Sequence, residues 1–274
     1  MAIKRYRATY DTTIVNAFEP NFETRGTGSN MGMADVMEVF SVYGRISSAS
    51  QELSRLLVQF PATTIISDRS AATIPGSGSV SFYLRLFNAQ HSRTVPKDYK
   101  LVVNPIGKSW QEGVGLDLET YKDTTNGNTG ANWMSASNAA SWNSVSGGGD
   151  WVSSSADYRY EQTFETGLED LEIDITPLVE CWIAGTVNNY GVGVKLSASY
   201  EAVGVSGGVG NDQSVQVNPN GATKSYYTKR FFARKTQYFY KRPLIEARWD
   251  SSRQDDRGDF YYSSSLAPAT DNLN

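Results

Sequence analysis

The chain carries one cysteine and one histidine in 274 residues, and both scarcities narrow what it can be. Cys181 alone forms no internal disulfide, so a reducing site of synthesis is expected. His91 alone cannot supply a histidine metal centre, and any Ser-His-Asp triad would hang on that one residue. Long apolar runs are missing as well: no stretch approaches the roughly 18 residues of a membrane span. Met1 to Arg7 is basic, but no apolar segment follows it, so no secretion signal is expected. There is no surplus of positive charge. Lys and Arg number 25 against 29 Asp and Glu, for a net charge of −4, and the pI is about 5.2. That balance argues against a general nucleic-acid binder, which needs a basic face.

What is present is alternation. Arg7–Val15, Met37–Tyr43, Arg55–Phe60, Ser79–Phe87 and Tyr99–Asn104 read as strands, as do Leu171–Ile175, Gly191–Ala198, Tyr226–Arg234 and Leu244–Trp249. All are rich in β-branched and aromatic residues and bounded by Gly, Asn, Ser or Pro. Many short strands of period two predict an all-β sandwich. One short helix is expected. Thr176 would cap it, Pro177 suits its first position, and Gly185 suits the left-handed residue that ends it. Three polar stretches read as loops: Asp123–Gly149, which holds Trp133 and Trp142, then Val203–Thr223, then Asp250–Asn274.

The order of several short motifs adds to this reading. Asp11-Thr-Thr-Ile and Asn30-Met-Gly32 come first, followed by Ser54-Arg-Leu-Leu-Val-Gln-Phe60 and Tyr83-Leu-Arg-Leu-Phe87. Trp110-Gln-Glu-Gly113 comes next, then Asp174-Ile-Thr with Leu178, Val179, Trp182 and Gly185. Asn189-Tyr-Gly191 and Arg242-Pro-Leu-Ile-Glu246 close the series. Together they resemble the DNRLRE-type domain, a carbohydrate-binding-module-like jelly roll, as in structural proteins of tailed phages. The resemblance spans about Tyr10 to Trp249. It implies an all-β jelly-roll sandwich at 10–249, with an N-terminal arm at 1–9 and a C-terminal extension at 250–274. The chain departs from the pattern in its enlarged loop at 130–151 and in that extension.

The resemblance implies a virion structural protein, made in the host cytoplasm and not an enzyme. The best expectation is a capsid-surface decoration or cement protein that stabilises the shell by contacts with the major capsid protein and with its own copies. Repeated weak contacts then act through avidity. A tail, neck or fibre component is the second expectation. A carbohydrate-binding module is the third, since loop aromatics can stack on a glycan as well as anchor a protein interface. No nucleic-acid or membrane partner is expected. The interface candidates are Lys4, Arg5 and Tyr6 of the arm, Trp133, Trp142 and Trp151 of the large loop, and Phe260, Tyr261 and Tyr262 of the extension. For a structural calcium, the one cofactor considered, the candidate oxygen ligands are Asp11, Asn30 and Asp35.

The residues themselves offer blander readings beside these. His91 suits an exposed loop, Cys181 a buried apolar helix face, and Glu112 a turn acceptor for backbone amides. Glu112 with Asp117, or Glu169 with Asp170, are the carboxylate pairs nearest to a glycosidase arrangement. Packing of the loop tryptophans against their own sheet is the bland alternative to an interface. The basic run from Lys224 to Arg242 suits a solvated strand edge or an acidic neighbour.

Overall fold

The structure is a computed structural model, and it describes residues 1–23, 25–44, 50–91, 95–116, 130–152, 158–205 and 215–252. Two antiparallel sheets face each other. One orders β1 (Ala2–Arg7), β13 (Leu244–Trp249), β5 (Ser81–Leu86) and β10 (Leu171–Asp174) as β1-β13-β5-β10. The other orders β12 (Ser225–Phe232), β3 (Val36–Tyr43), β4 (Glu52–Gln59), β11 (Val192–Leu196), β6 (Tyr99–Pro105) and β9 (Tyr160–Phe164) as β12-β3-β4-β11-β6-β9. In this larger sheet β2 (Tyr10–Val15) also pairs with β4. β7 (Ser135–Ser137) and β8 (Ala140–Ser141) form a small hairpin apart. The fold class is the expected all-β sandwich.

Period-two patterning explains the principal core. Leu56, Val58 and Phe60 point to one side of the larger sheet, with Leu101 and Val103 from β6 and Val192, Val194 and Leu196 from β11. They meet Phe82, Leu84, Leu86, Ile173, Ile245 and Ala247 of the smaller sheet. The opposite face of the larger sheet is buried too. Leu53 and Leu57 of β4 turn away from the first core and join Ile14, Ile106, Trp110, Trp133 and Trp142 in a second. β4 is therefore covered on both faces, and every residue from Glu52 to Val58 is buried.

Residues 1–9 are not an arm, which corrects the expectation. Ala2–Arg7 pairs along its whole length with β13. Tyr6 is buried in the first core, and its hydroxyl donates to Asp68 Oδ2 at 2.8 Å. The basic residues that suggested a free segment occupy outward or rim positions of a strand. Lys4 pairs with Asp68 and Arg5 with Glu246, each at 2.8 Å.

A single short helix was expected, and two are present among the described residues. α1 (Ala62–Ser70) follows Pro61 and buries Ile65. Its β-branched residues obscure a helical pattern in the sequence. α2 (Thr176–Ala184) is the expected one, with Pro177 in its first turn and Gly185 in the left-handed region at φ 71°. Its start differs from the sequence reading. Thr176 does not cap the helix: its hydroxyl accepts the Phe82 amide at 2.7 Å and so ties α2 to β5. The first helical amide is accepted by Asp174 Oδ1 instead, at 2.9 Å. No helix among the described residues is long and apolar enough to cross a membrane.

Candidate functional site

Motifs far apart in the sequence converge at one end of the sandwich. The Asp11 amide donates to Glu112 Oε1 at 3.0 Å, and Asp11 Oδ2 accepts the Arg234 amide. Arg234 grips Glu112 with two nitrogens, Nη2 reaching both carboxylate oxygens at 2.8 and 2.7 Å. Asn30 Oδ1 accepts the Gly115 amide at 2.9 Å. The backbones come so close that a Cβ on Gly115 would lie 1.8 Å from the Asn30 carbonyl oxygen, and one on Gly32 2.3 Å from that of Glu112. Only glycine permits that approach. Trp110 Nε1 donates to the Tyr190 carbonyl at 2.8 Å, while Asn189 Nδ2 reaches the Phe60 carbonyl at 2.7 Å. The motifs Asp11-Thr-Thr-Ile, Asn30-Met-Gly32, Trp110-Gln-Glu-Gly113 and Asn189-Tyr-Gly191 thus form one hydrogen-bonded knot.

Beside this knot opens a cleft of about 580 Å³, lined by Tyr10, Gln59, Trp110, Gln111, Glu112 and Val114 among others. Tyr10 is half exposed there, whereas Trp110 is buried. Glu112 is committed to Arg234 and to the Asp11 amide of β2, a long-range anchor rather than the local turn acceptor read from the sequence. Its other partner in the glycosidase reading, Asp117, lies outside the described residues. Asp11 is fully buried, and its Oδ1 has no hydrogen-bond partner among the described residues. Burial first, with the neighbouring Glu112 charge adding, raises its pKa to about 7 against the lowering effect of the Arg234 amide.

The calcium trio does not form a cation cage. Asp11 Oδ2 and Asn30 Oδ1 are engaged by backbone amides, and Asp35 is exposed. Among the described residues no group of three or more His, Cys, Asp or Glu side chains converges as metal ligands would.

The three loop tryptophans are not presented as an interface. Trp133 is fully buried and Trp142 is 5% exposed. Their indole nitrogens donate to the Ser146 and Asn132 carbonyls at 3.0 and 2.9 Å. Trp151 is half-buried and donates to the Gly148 carbonyl at 2.9 Å. The loop folds onto the outer face of the larger sheet, where a Gly at 193 leaves room for the Trp151 ring. Buried charge sits beneath it. Arg55 lies 5.1 Å from the Trp133 ring centre and 5.4 Å from that of Trp151. It donates to the Gly148 carbonyl at 2.8 Å and pairs with Glu201 at 3.4 Å. Lys195 stands 4.7 Å from the Trp151 ring centre. Burial foremost, with Arg55 adding, lowers the Lys195 pKa to about 8.

Other expectations also change. His91 is half-buried rather than exposed, its Nε2 makes no hydrogen bond among the described residues, and its pKa is lowered by burial first and then by Arg230. Cys181 is half-buried, 3.3 Å from the Tyr158 hydroxyl. The basic run 224–242 is not simply a solvated edge: Lys229 is buried, Arg230 pairs with Glu38 at 2.9 Å, and Arg234 is in the knot. Phe260, Tyr261 and Tyr262 lie outside the described residues.

Sequence reasoning missed an exposed aromatic cluster. Tyr238, Phe239 and Tyr240 form a turn before β13 and are 53%, 47% and 77% exposed. Cations gather over them: Arg7 stands 3.8 Å from the Phe239 ring centre and Arg242 5.3 Å. Lys241 stands 5.0 Å from the ring of Phe232, which contacts Tyr238 edge-on. The signal was the tripeptide Tyr-Phe-Tyr inside a basic run, with no alternation to bury it.

No protein-family model matches the chain, and no curated protein matches its sequence.

Proposed function

We propose that this chain is a structural protein of a tailed phage particle, bound to the outside of the capsid as a decoration or cement protein. The observation that carries the reading is the patch of Tyr238, Phe239 and Tyr240 with Arg7, Lys241 and Arg242 at one corner of a sandwich cored on both faces of its larger sheet. Exposed aromatics and arginine are the residue types that dominate protein interfaces. On a chain of net charge −4, a local positive aromatic patch fits an acidic, partly apolar surface of a neighbour such as the major capsid protein. The patch takes the interface role first expected of residues 4–6 and of the loop tryptophans. The motif order that resembles the DNRLRE-type domain supports the same reading.

The test is binding to purified capsids. The wild-type chain should co-sediment with shells to saturation and raise the temperature at which they rupture. Phe239→Ala with Tyr240→Ala should abolish both effects while leaving the circular dichroism unchanged. Wild-type protein that ignores shells, or a double variant that binds them equally well, refutes the proposal. A second reading rests on the cleft beside Tyr10, where Gln59 and Gln111 flank a half-exposed ring. An aromatic face with nearby amides suits one sugar ring. Polysaccharide binding that Tyr10→Ala removes would favour a carbohydrate-binding module.

A further inference from the structure

Pairing in the smaller sheet sets Arg7, Leu244, Arg85 and Glu172 in one row. β13 begins on that row, soon after the Tyr238–Arg242 turn, and β10 begins beside it, directly after the turn at 165–170. The basic aromatic corner and this second turn therefore lie at the same end of the sandwich, on opposite sides. Three strand spacings, about 14 Å, separate them. Glu165 and Asp170 are exposed, and neither forms an ion pair among the described residues. Leu168, between them, is 55% exposed. The turn is held firmly. Gly167 has φ 77°, and a Cβ on it would lie 2.1 Å from the Pro96 carbonyl oxygen. In the pocket beneath, buried Lys229 donates to the Gly167 and Glu169 carbonyls at 3.0 and 2.6 Å, and to Asn88 Oδ1 at 2.7 Å. Gln162 Nε2 reaches the Asp170 carbonyl at 2.8 Å.

The basic corner carries cations that the chain itself leaves without a counter-ion. Arg55, Arg69, Arg85, Arg230, Arg234 and Arg248 each pair with a carboxylate. Arg7, Lys241 and Arg242 pair with none among the described residues, although they crowd around Phe239 and Phe232. Arg7 makes no hydrogen bond there either, and its Nε is buried. Like charges gathered in this way repel one another until an anion joins them.

A basic corner and an acidic turn can each be plain solvated surface. Here both are unneutralised, both carry exposed apolar groups, and they share one end of the fold. We propose that this end pairs with the same end of a second copy of the chain about a two-fold axis, the corner of each copy seated on the 165–170 turn of the other. The axis runs between the two features, across the line that joins them, so either contact brings the other with it. Arg7 and Arg242 of one copy face Glu165 and Asp170 of the second, and Leu168 covers the open faces of Phe239 and Tyr240. The charges fix the orientation, since the alternative two-fold sets cations against cations. The inference rests on the interface role given to the Tyr238–Tyr240 corner and names the neighbour there. A pair grips a repeating shell at two points, so loss of pairing would weaken shell binding as well.

Sedimentation velocity of the wild-type chain tests this without any capsid. The expected mass is twice the 30.2 kDa of one chain, falling toward a single chain on dilution and in high salt. Arg7→Glu and Glu165→Arg should each leave a monomer with unchanged circular dichroism. Because the axis repeats each contact, a tenfold loss at one becomes about a hundredfold loss for the dimer. An equimolar mixture of the two variants should recover the dimer, since each reversed charge then meets the other, and that recovery also shows that both variants are folded. Wild-type protein that stays monomeric at about 1 mM overturns the proposal. So does a dimer that both variants retain, or a mixture that fails to pair. A monomer that still binds shells would leave the capsid reading standing, whereas a dimer of this kind that ignores shells would sink the capsid reading alone.

Discussion

Replacing Trp133 with alanine tests whether the outer face of the larger sheet is a true core. The ring is fully buried among Ile14, Leu53, Leu57, Ile106 and Trp142. Loss of a buried tryptophan costs about 3–5 kcal/mol through lost transfer energy and the cavity left behind. Two features place this site at the upper end. Arg55, 3% exposed, loses the ring beneath its guanidinium, and the Gly148 turn loses a wall. Phenylalanine separates the packing from the hydrogen bond. It keeps most of the ring but not the indole N–H that reaches the Ser146 carbonyl at 3.0 Å. That carbonyl still accepts Gln216 Nε2 at 2.7 Å, so it is not left bare. Trp133→Phe should therefore cost only about 1–2 kcal/mol. Guanidinium unfolding followed by far-ultraviolet circular dichroism reads both. A Trp133→Ala variant within about 1 kcal/mol of wild type would refute the reasoning, because it would mean that the loop does not seal the sheet.

Further expectations follow from single sites. Asp11 has its pKa raised from 3.8 to about 7, so the folded state holds its proton after the unfolded chain has lost it. Its contribution is complete below the unfolded value and declines as pH rises toward the folded one, by on the order of 4 kcal/mol in all. Asp11→Asn should flatten stability between those two pH values in urea titrations, and an unchanged slope would exclude Asp11 as the cause. Glu246 works in the opposite direction. Burial would raise its pKa, but hydrogen bonds from Arg5 and Arg248 hold it below the ordinary range. Its stabilisation is present above the unfolded carboxyl pKa and is lost as pH falls through the folded one. Glu246→Gln should cost about 1–3 kcal/mol at neutral pH and weaken the acid-induced loss of stability. Gly193→Ala would put a methyl 2.5 Å from the Trp151 ring and 2.8 Å from Ile106 Cδ1. A loss of about 1–3 kcal/mol and a changed Trp151 environment in near-ultraviolet dichroism are expected. A neutral substitution would mean that Trp151 lies elsewhere.

The sequence by itself determined the fold class and most strands, because period-two burial is a local property: Leu56, Val58 and Phe60 must share a face whatever covers them. It also determined where α2 ends, since Gly185 is free to adopt a positive φ. The fate of residues with two faces or two possible partners was decided only by tertiary structure. Tyr6 and Lys4 read as a basic arm until β13 is found beside them. Trp133 and Trp142 read as display residues in a polar loop, yet the loop folds back over Leu53 and Leu57, whose own burial the local pattern could not assign to a second core. The knot of Asp11, Asn30, Glu112 and Arg234 and the pocket of Lys229, Asn88 and Glu169 draw on segments scores of residues apart. No spacing rule encodes such meetings, because they depend on which strands the sheets set side by side. The exposed Tyr238–Tyr240 turn was visible as a tripeptide, but its exposure is a property of the finished surface.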